Sequence, residues 1–152
     1  MAPTKTIPTF YRFIFTWVDP LVSFATGYGL IFHRDALLGM LSPLFIPRVV
    51  AYDPWLWQVA GGYWITSILQ GGLLRYTDDL GIWKIANGAV CVMDVLITLS
   101  MWEMRQPPHN WSTATMTARD WSNVVGTITF AVIRTLFLLE VGFKKQVGKK
   151  KA

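Results

Sequence analysis

From residue 81 to 104 the chain reads GIWKIANGAVCVMDVLITLSMWEM, a stretch as long as a bilayer crossing with an aspartate, Asp94, near its middle. A membrane helix needs about 20 apolar residues. An ionisable group inside one is costly enough to mark a function or a dedicated partner. Counting in steps of three and four, Lys84, Asn87, Cys91, Asp94 and Thr98 share one helix face, and most of the other residues are Val, Ile, Leu, Met and Ala. A polar stripe in lipid has to be met by other helices or by water. The sequence therefore predicts a small helical bundle organised around this stripe.

The rest of the chain agrees in kind. It is 53% hydrophobic and 15% charged over 152 residues, where a soluble domain carries about 25% charged residues. The apolar residues fall in blocks of about 20, the length of a crossing. The expected fold class is all-α: a polytopic four-transmembrane-helix bundle with spans at 10–32, 54–75, 81–104 and 121–143, and an amphipathic segment between the first two. Residues 1–9 read as a disordered lead and 144–152 as a basic tail. The net charge of +5 lies largely in that tail, which points to membrane topology and a lipid surface rather than to nucleic acid. Cys91 is single, so it forms no disulfide within the chain and reads as a packing residue. His33 and His109 fall in separate loops without metal-ligand spacing, and neither metal nor cofactor is expected.

In the first block, Asp19-Pro20 sits close to the centre. Proline removes a helix donor, so a kink is expected that frees a carbonyl near Thr16. Thr16, Asp19, Ser23 and Thr26 share a face. Residues 33–53 are amphipathic and broken by proline, which suits a segment on the membrane surface, a cap on the bundle, or a lid over a substrate entrance. The second block opens on Pro54 in a first helical turn, with Trp55 and Trp57 placed for an interfacial belt. Tyr63, Ser67 and Gln70 form its polar stripe, and Gly61, Gly62, Gly71 and Gly72 would permit close helix approach. Pro107-Pro108 ends the third block, and Asp120 or Ser122 is placed to cap the fourth. There Asn123, Thr127, Phe130 and Arg134 share a face, and Glu140 is expected to pair with a cation near the interface.

Four spans put both termini on one side. The cations there are Lys5, Arg12, Arg75, Lys84, Lys144, Lys145, Lys149, Lys150 and Lys151, against Arg34, Arg48, Arg105 and Arg119 opposite. The positive-inside rule makes the terminal side cytosolic. Lys149 and Lys150 stand fourth and third from the last residue, as in a dilysine retrieval signal for the endoplasmic reticulum; a basic flank to the last span explains most of the same residues.

Asp19, Asp94 and Arg134 each fall near the middle of a span. At about 1.5 Å per residue the three share a depth to within a turn or two. Each alone in lipid costs roughly 3 kcal/mol or more, so mutual contact is expected. Two carboxylates and one guanidinium leave one carboxylate ionised and the other carrying a proton, which provides a general base beside a general acid. That set suits epoxide opening, and equally an isomerisation or cyclisation without water. The plain structural alternative is an ion pair locking the spans together. Trp17, Tyr63, Trp64 and Trp83 are candidate walls for a lipophilic substrate, and Tyr63, Gln70 and Asn87 candidate contacts to water or oxygen. A non-catalytic scaffold that binds lipid and pathway enzymes, or a homo-oligomer, is also compatible. Alternating-access transport has little room in four short spans.

The Arg12-Phe13 to Asp19-Pro20 opening, the Arg75-Tyr76-Thr77-Asp78-Asp79-Leu80 turn with Trp83, Asp94 in the third span, and Arg134-Thr135-Leu136-Phe137 to Val141-Gly142 together carry a resemblance over roughly residues 10–142. In these the chain resembles a family of small four-span fungal membrane proteins of unknown function that recur in secondary-metabolite gene clusters. It is also similar to the integral-membrane epoxide hydrolases of aurovertin- and citreoviridin-type polyene pathways. The resemblance implies a membrane-embedded tailoring enzyme acting on a polyketide or terpenoid epoxide. The Asp-Arg-Asp set separately resembles the site of soluble limonene-epoxide hydrolases, a different fold, so that likeness has value only if the three residues meet.

Overall fold

In the computed structural model, residues 5–42, 45–103 and 116–145 are described. Met104, the loop with His109, and the tail lysines 149–151 lie outside them. The fold is helical and follows the apolar blocks. Helix α1 (Thr9–Phe13) runs through a π-helical turn (Ile14–Val18) into α2 (Asp19–Phe32). Helix α3 (Arg34–Leu41) follows, then a 3₁₀ turn (Val50–Tyr52). Helix α4 (Asp53–Ile68) passes through a second π turn (Leu69–Leu73) into α5 (Leu74–Tyr76). The long helices α6 (Leu80–Glu103) and α7 (Ala118–Leu138) complete it.

Among the described residues, three helices are long and apolar enough to cross a membrane: Thr9–Phe32, Leu80–Met101 and Ala118–Leu138. The fourth expected crossing is helical throughout 53–76, but Gln58, Gln70 and four glycines make it less apolar than the others. It packs chiefly on α2, while α6 packs on α7. Large apolar side chains point outward on every long helix, among them Leu21, Ile65, Ile85, Val92 and Val132. Exposed apolar surface on that scale marks a surface made to be covered, here by lipid.

The carbonyl that the sequence expects proline to free, that of Thr16, finds a side-chain partner. Pro20 cannot donate to the turn before it, and Arg75 Nη2 donates instead to the Thr16 carbonyl at 2.7 Å. The same guanidinium lies over the Trp17 ring, 4.0 Å from its centroid. Ser67 Oγ donates to the Pro20 carbonyl at 2.9 Å, so this member of the expected stripe ties α4 to α2. Of the four glycines expected at close approach only Gly71 is pressed: a Cβ there would stand 3.1 Å from Pro20 Cβ, whereas Gly61 and Gly72 face open space. The tightest approach is at Gly27, where a Cβ would meet the Trp64 ring at 2.5 Å.

Helix α7 begins with a capping box. Thr117 accepts from the Asp120 backbone while Asp120 accepts from the Thr117 backbone at 2.9 Å. Asp120 thus acts as the third residue of the box rather than as the N-cap itself. The polar lead is partly structured, in contrast to the disorder expected for it. Lys5–Thr6 pairs antiparallel with Lys144–Lys145, and Ile7 is buried in an aromatic cluster. Burial of that one apolar side chain, with strand pairing beside it, offsets the entropy of ordering the segment.

That cluster, Tyr11, Phe15, Trp83 and Phe137 with Leu74, closes one end of the bundle. Phe15 and Phe137 meet edge to face at 5.4 Å, as do Tyr11 and Phe137 at 5.2 Å. Tyr11 donates to the Val141 carbonyl at 3.0 Å, Trp83 Nε1 to the Thr77 carbonyl at 2.8 Å, and Arg12 pairs with Asp78 at 2.6 Å. Lys84 pairs with Glu140 at 2.5 Å in the same region.

Candidate functional site

Arg134 reaches into the bundle from α7 and forks between two helices. Its Nη1 donates to Asp94 Oδ2 on α6 and its Nη2 to Asp19 Oδ2 at the start of α2. All three are buried, Arg134 to 1% exposure. The planar guanidinium suits this task because its donors are fixed in a fork. The rings of Phe15 and Phe130 lie 6.0 and 5.7 Å from its carbon, so aromatic faces complete the cation's surroundings. Each carboxylate engages the fork through Oδ2 only.

The three side chains form the floor of a cavity of about 220 Å³. Ser23, Thr66 and Thr127 add hydroxyls to its lining, and Val22, Val90, Met93 and Ile97 supply apolar wall. A larger chamber of about 430 Å³ adjoins it, between the long helices and the segment after α2, lined by Leu30, Leu38, Phe45, Leu56 and Val59 among others. Thr26, Leu41, Tyr63, Ile97, Met101 and Asn123 border both.

The segment over the larger chamber is pinned on two sides. From α7, Arg119 donates to the Gly39 carbonyl at 3.1 Å and Asn123 Nδ2 to those of Met40 and Leu41 at 3.2 and 2.8 Å. These are the carbonyls that the end of α3 leaves without helical partners. On the other side, Arg48 bonds both Asp35, at 2.8 Å, and Asp53, and Arg34 bonds Asp53 at 2.9 Å. The guanidiniums of Arg48 and then Arg34 hold the Asp53 carboxyl below its ordinary range.

The candidates from sequence divide accordingly. Asp19, Asp94 and Arg134 meet, and Tyr63 lines both cavities. Gln70 is fully buried beside Asp19, with both amide atoms outside hydrogen-bond geometry to any described residue, and does not line either cavity. Asn87 shares the face of Asp94 but sits two turns away, donating to the Trp83 carbonyl at 2.9 Å. None of the three tryptophans proposed as walls lines either cavity. Trp83 belongs to the closed end, Trp17 lies exposed under Arg75, and Trp64 stacks on Phe24 at 6.0 Å. Helical position accounts for this: Trp17 is two residues from Asp19 and so about 200° around the helix, and Trp83 is on the Asp94 face about 16 Å away. Thr66 and Met93 went unnoticed in the sequence. Thr66 was discoverable, being three residues on from Tyr63, and Ser23, Thr127 and Phe130 already stood on the expected faces.

Two buried carboxyl groups held by one guanidinium at the base of a cavity can move protons to and from a bound molecule. Compared with known proteins, the chain matches no family model, no curated protein and no solved structure, so the geometry of this site is what carries a functional reading.

Proposed function

We propose that this chain is an integral-membrane epoxide hydrolase that opens a lipophilic polyketide or terpenoid epoxide in fungal secondary metabolism. In this reading residues 54–75 are a fourth crossing, both termini are cytosolic, and the protein resides in the endoplasmic reticulum. The observation that carries the proposal is Arg134 bridging Asp19 and Asp94 on the floor of a cavity. Charge balance around one guanidinium leaves one carboxylate ionised and the other holding a proton. The ionised carboxylate takes a proton from water as the water oxygen bonds to an epoxide carbon. The carbon–oxygen bond of the ring breaks, and the protonated carboxyl gives its proton to the departing oxygen. One water is consumed and a diol leaves. Passage of one proton from the new acid to the new base restores the site. Arg134 keeps both groups at one depth, and Tyr63 is placed to donate to an oxygen of the bound molecule.

The test is incubation of membranes containing the protein with a panel of lipophilic epoxides in oxygen-18 water, read by mass spectrometry. A labelled diol is expected, with turnover falling by about 10²–10⁴ in Asp94→Asn and in Asp19→Asn while both variants still insert and fold. An isomeric product without label would replace hydrolysis with isomerisation or cyclisation by the same groups. Function retained in the double Asp→Asn variant, together with stable capture of pathway enzymes, would replace catalysis with scaffolding.

A further inference from the structure

The two cavities differ in chemistry and share a wall. The inner one holds the Asp19, Asp94 and Arg134 charges and the hydroxyls of Ser23 and Thr66. The outer one, about twice as large, is lined mainly by aliphatic side chains from α2, α3 and α4. Its two charged residues are already engaged within the protein: Arg48 with Asp35 and Asp53, Asp120 with Thr117. A ligand oxygen placed in the outer chamber would give up hydrogen bonds to water and find few replacements. The same oxygen in the inner chamber meets donors and acceptors, while a hydrocarbon body in the outer one leaves water for an apolar wall.

We infer that the two cavities bind one elongated lipophile end to end, its oxygen-bearing terminus in the inner chamber and its apolar body in the outer one. The segment from α3 to the start of α4 forms the far wall, through Leu38, Phe45 and Leu56, and selects the length of that body. The reacting oxygen thus lies at or near a terminus of the molecule, with no bulky polar group on the opposite end. This rests on the epoxide-opening reading for the identity of the inward oxygen. The orientation rests on the two linings alone.

The experiment uses photoreactive hexadecanol, with the hydroxyl as the inward group and a diazirine either beside it or at the far end of the chain. The full chain in lipid nanodiscs is irradiated with each, and labelled residues are mapped by mass spectrometry with and without excess hexadecanol. The far-end probe is expected to label 38–56, and the probe beside the hydroxyl to label 63–66 and 93–97, both suppressed at least about tenfold by competitor. An inverted map overturns the inference. So does labelling confined to outward residues such as Ile85 and Val92 that competitor does not suppress. In Leu38→Trp the chamber is shortened, and labelling by hexadecanol is expected to fall at least tenfold while that by an octanol probe stays; equal effects on both overturn the length selection. Should that variant fail to fold, the map on the unaltered chain decides. Labelling requires no turnover, so its failure and the failure of epoxide opening are separately visible.

Discussion

The two ends of the bundle are built from the same helices and behave as opposites. At one end Tyr11, Phe15, Trp83 and Phe137 interlock, and the paired strands Lys5–Thr6 and Lys144–Lys145 lie beside them. At the other end the same helices stand apart around two chambers, and backbone carbonyls of α3 are held by side chains of α7. Between the two lies Arg134, whose own helix carries Phe137 into the aromatic end and Asn123 to the chambers. A dense base gives the charged set a fixed mounting, and a hollow opposite end leaves room for a ligand. Dense packing and preorganised charge belong together because small displacements of a catalytic group are costly.

The harshest way to break this arrangement is at its centre. Arg134→Leu leaves two carboxylates facing each other with no cation and should destabilise the chain by about 3–5 kcal/mol, seen as a lower Tm by tryptophan fluorescence in detergent. An unchanged Tm would show that water reaches the carboxylates freely. A direct comparison of the ends comes next. Phe137→Ala in the dense base should cost about 3–5 kcal/mol, and Leu38→Ala on the chamber wall about 2 kcal/mol, because a wall that already borders empty space loses fewer contacts. Equal losses would mean that the chambers collapse in solution.

Finer tests address the segment around α3 alone. Asn123→Ala removes two hydrogen bonds to the end of α3 and should cost about 1–2 kcal/mol. Its clearest sign is faster hydrogen exchange over 34–42 with unchanged protection around Tyr11 and Phe137; faster exchange at both ends would make the molecule one cooperative unit. The smallest effect is with acid. The Asp53 carboxyl is held below its ordinary value of 3.8, so the order it lends the segment is complete above that value. It should be lost as pH falls through the lowered one. Exchange over 34–53 followed down to pH about 3 reads it, and Arg48→Gln should move the onset upward.

The sequence made the helices and the charged set legible for one reason: charge inside apolar blocks is expensive enough to demand partners. Three and four spacing then identified the right faces for Ser23, Thr127 and Phe130. It was blind to depth, which is why Asn87 and Trp83 stood beside Asp94 on paper and lie turns away from it in space. The mooring of α3 left no trace because it uses backbone carbonyls, which every residue has. The lead escaped for a related reason, since Lys5 pairs with Lys145, 140 residues further along the chain, and only proximity in space reveals it.

The π turn at Ile14–Val18 has a consequence of its own. Tyr11, Phe15, Asp19, Ser23 and Gly27 are all buried, each four residues after the last. In a regular α-helix such a row would wander by about 40° at every step; a turn with more residues in it brings the row back into line. What is constrained over this stretch is therefore number as much as identity. Swapping one aliphatic side chain for another between 14 and 18 leaves the row intact. Losing a single residue there would close the stretch as ordinary α-helix and leave Asp19 three residues after Phe15, about 60° out of line with it.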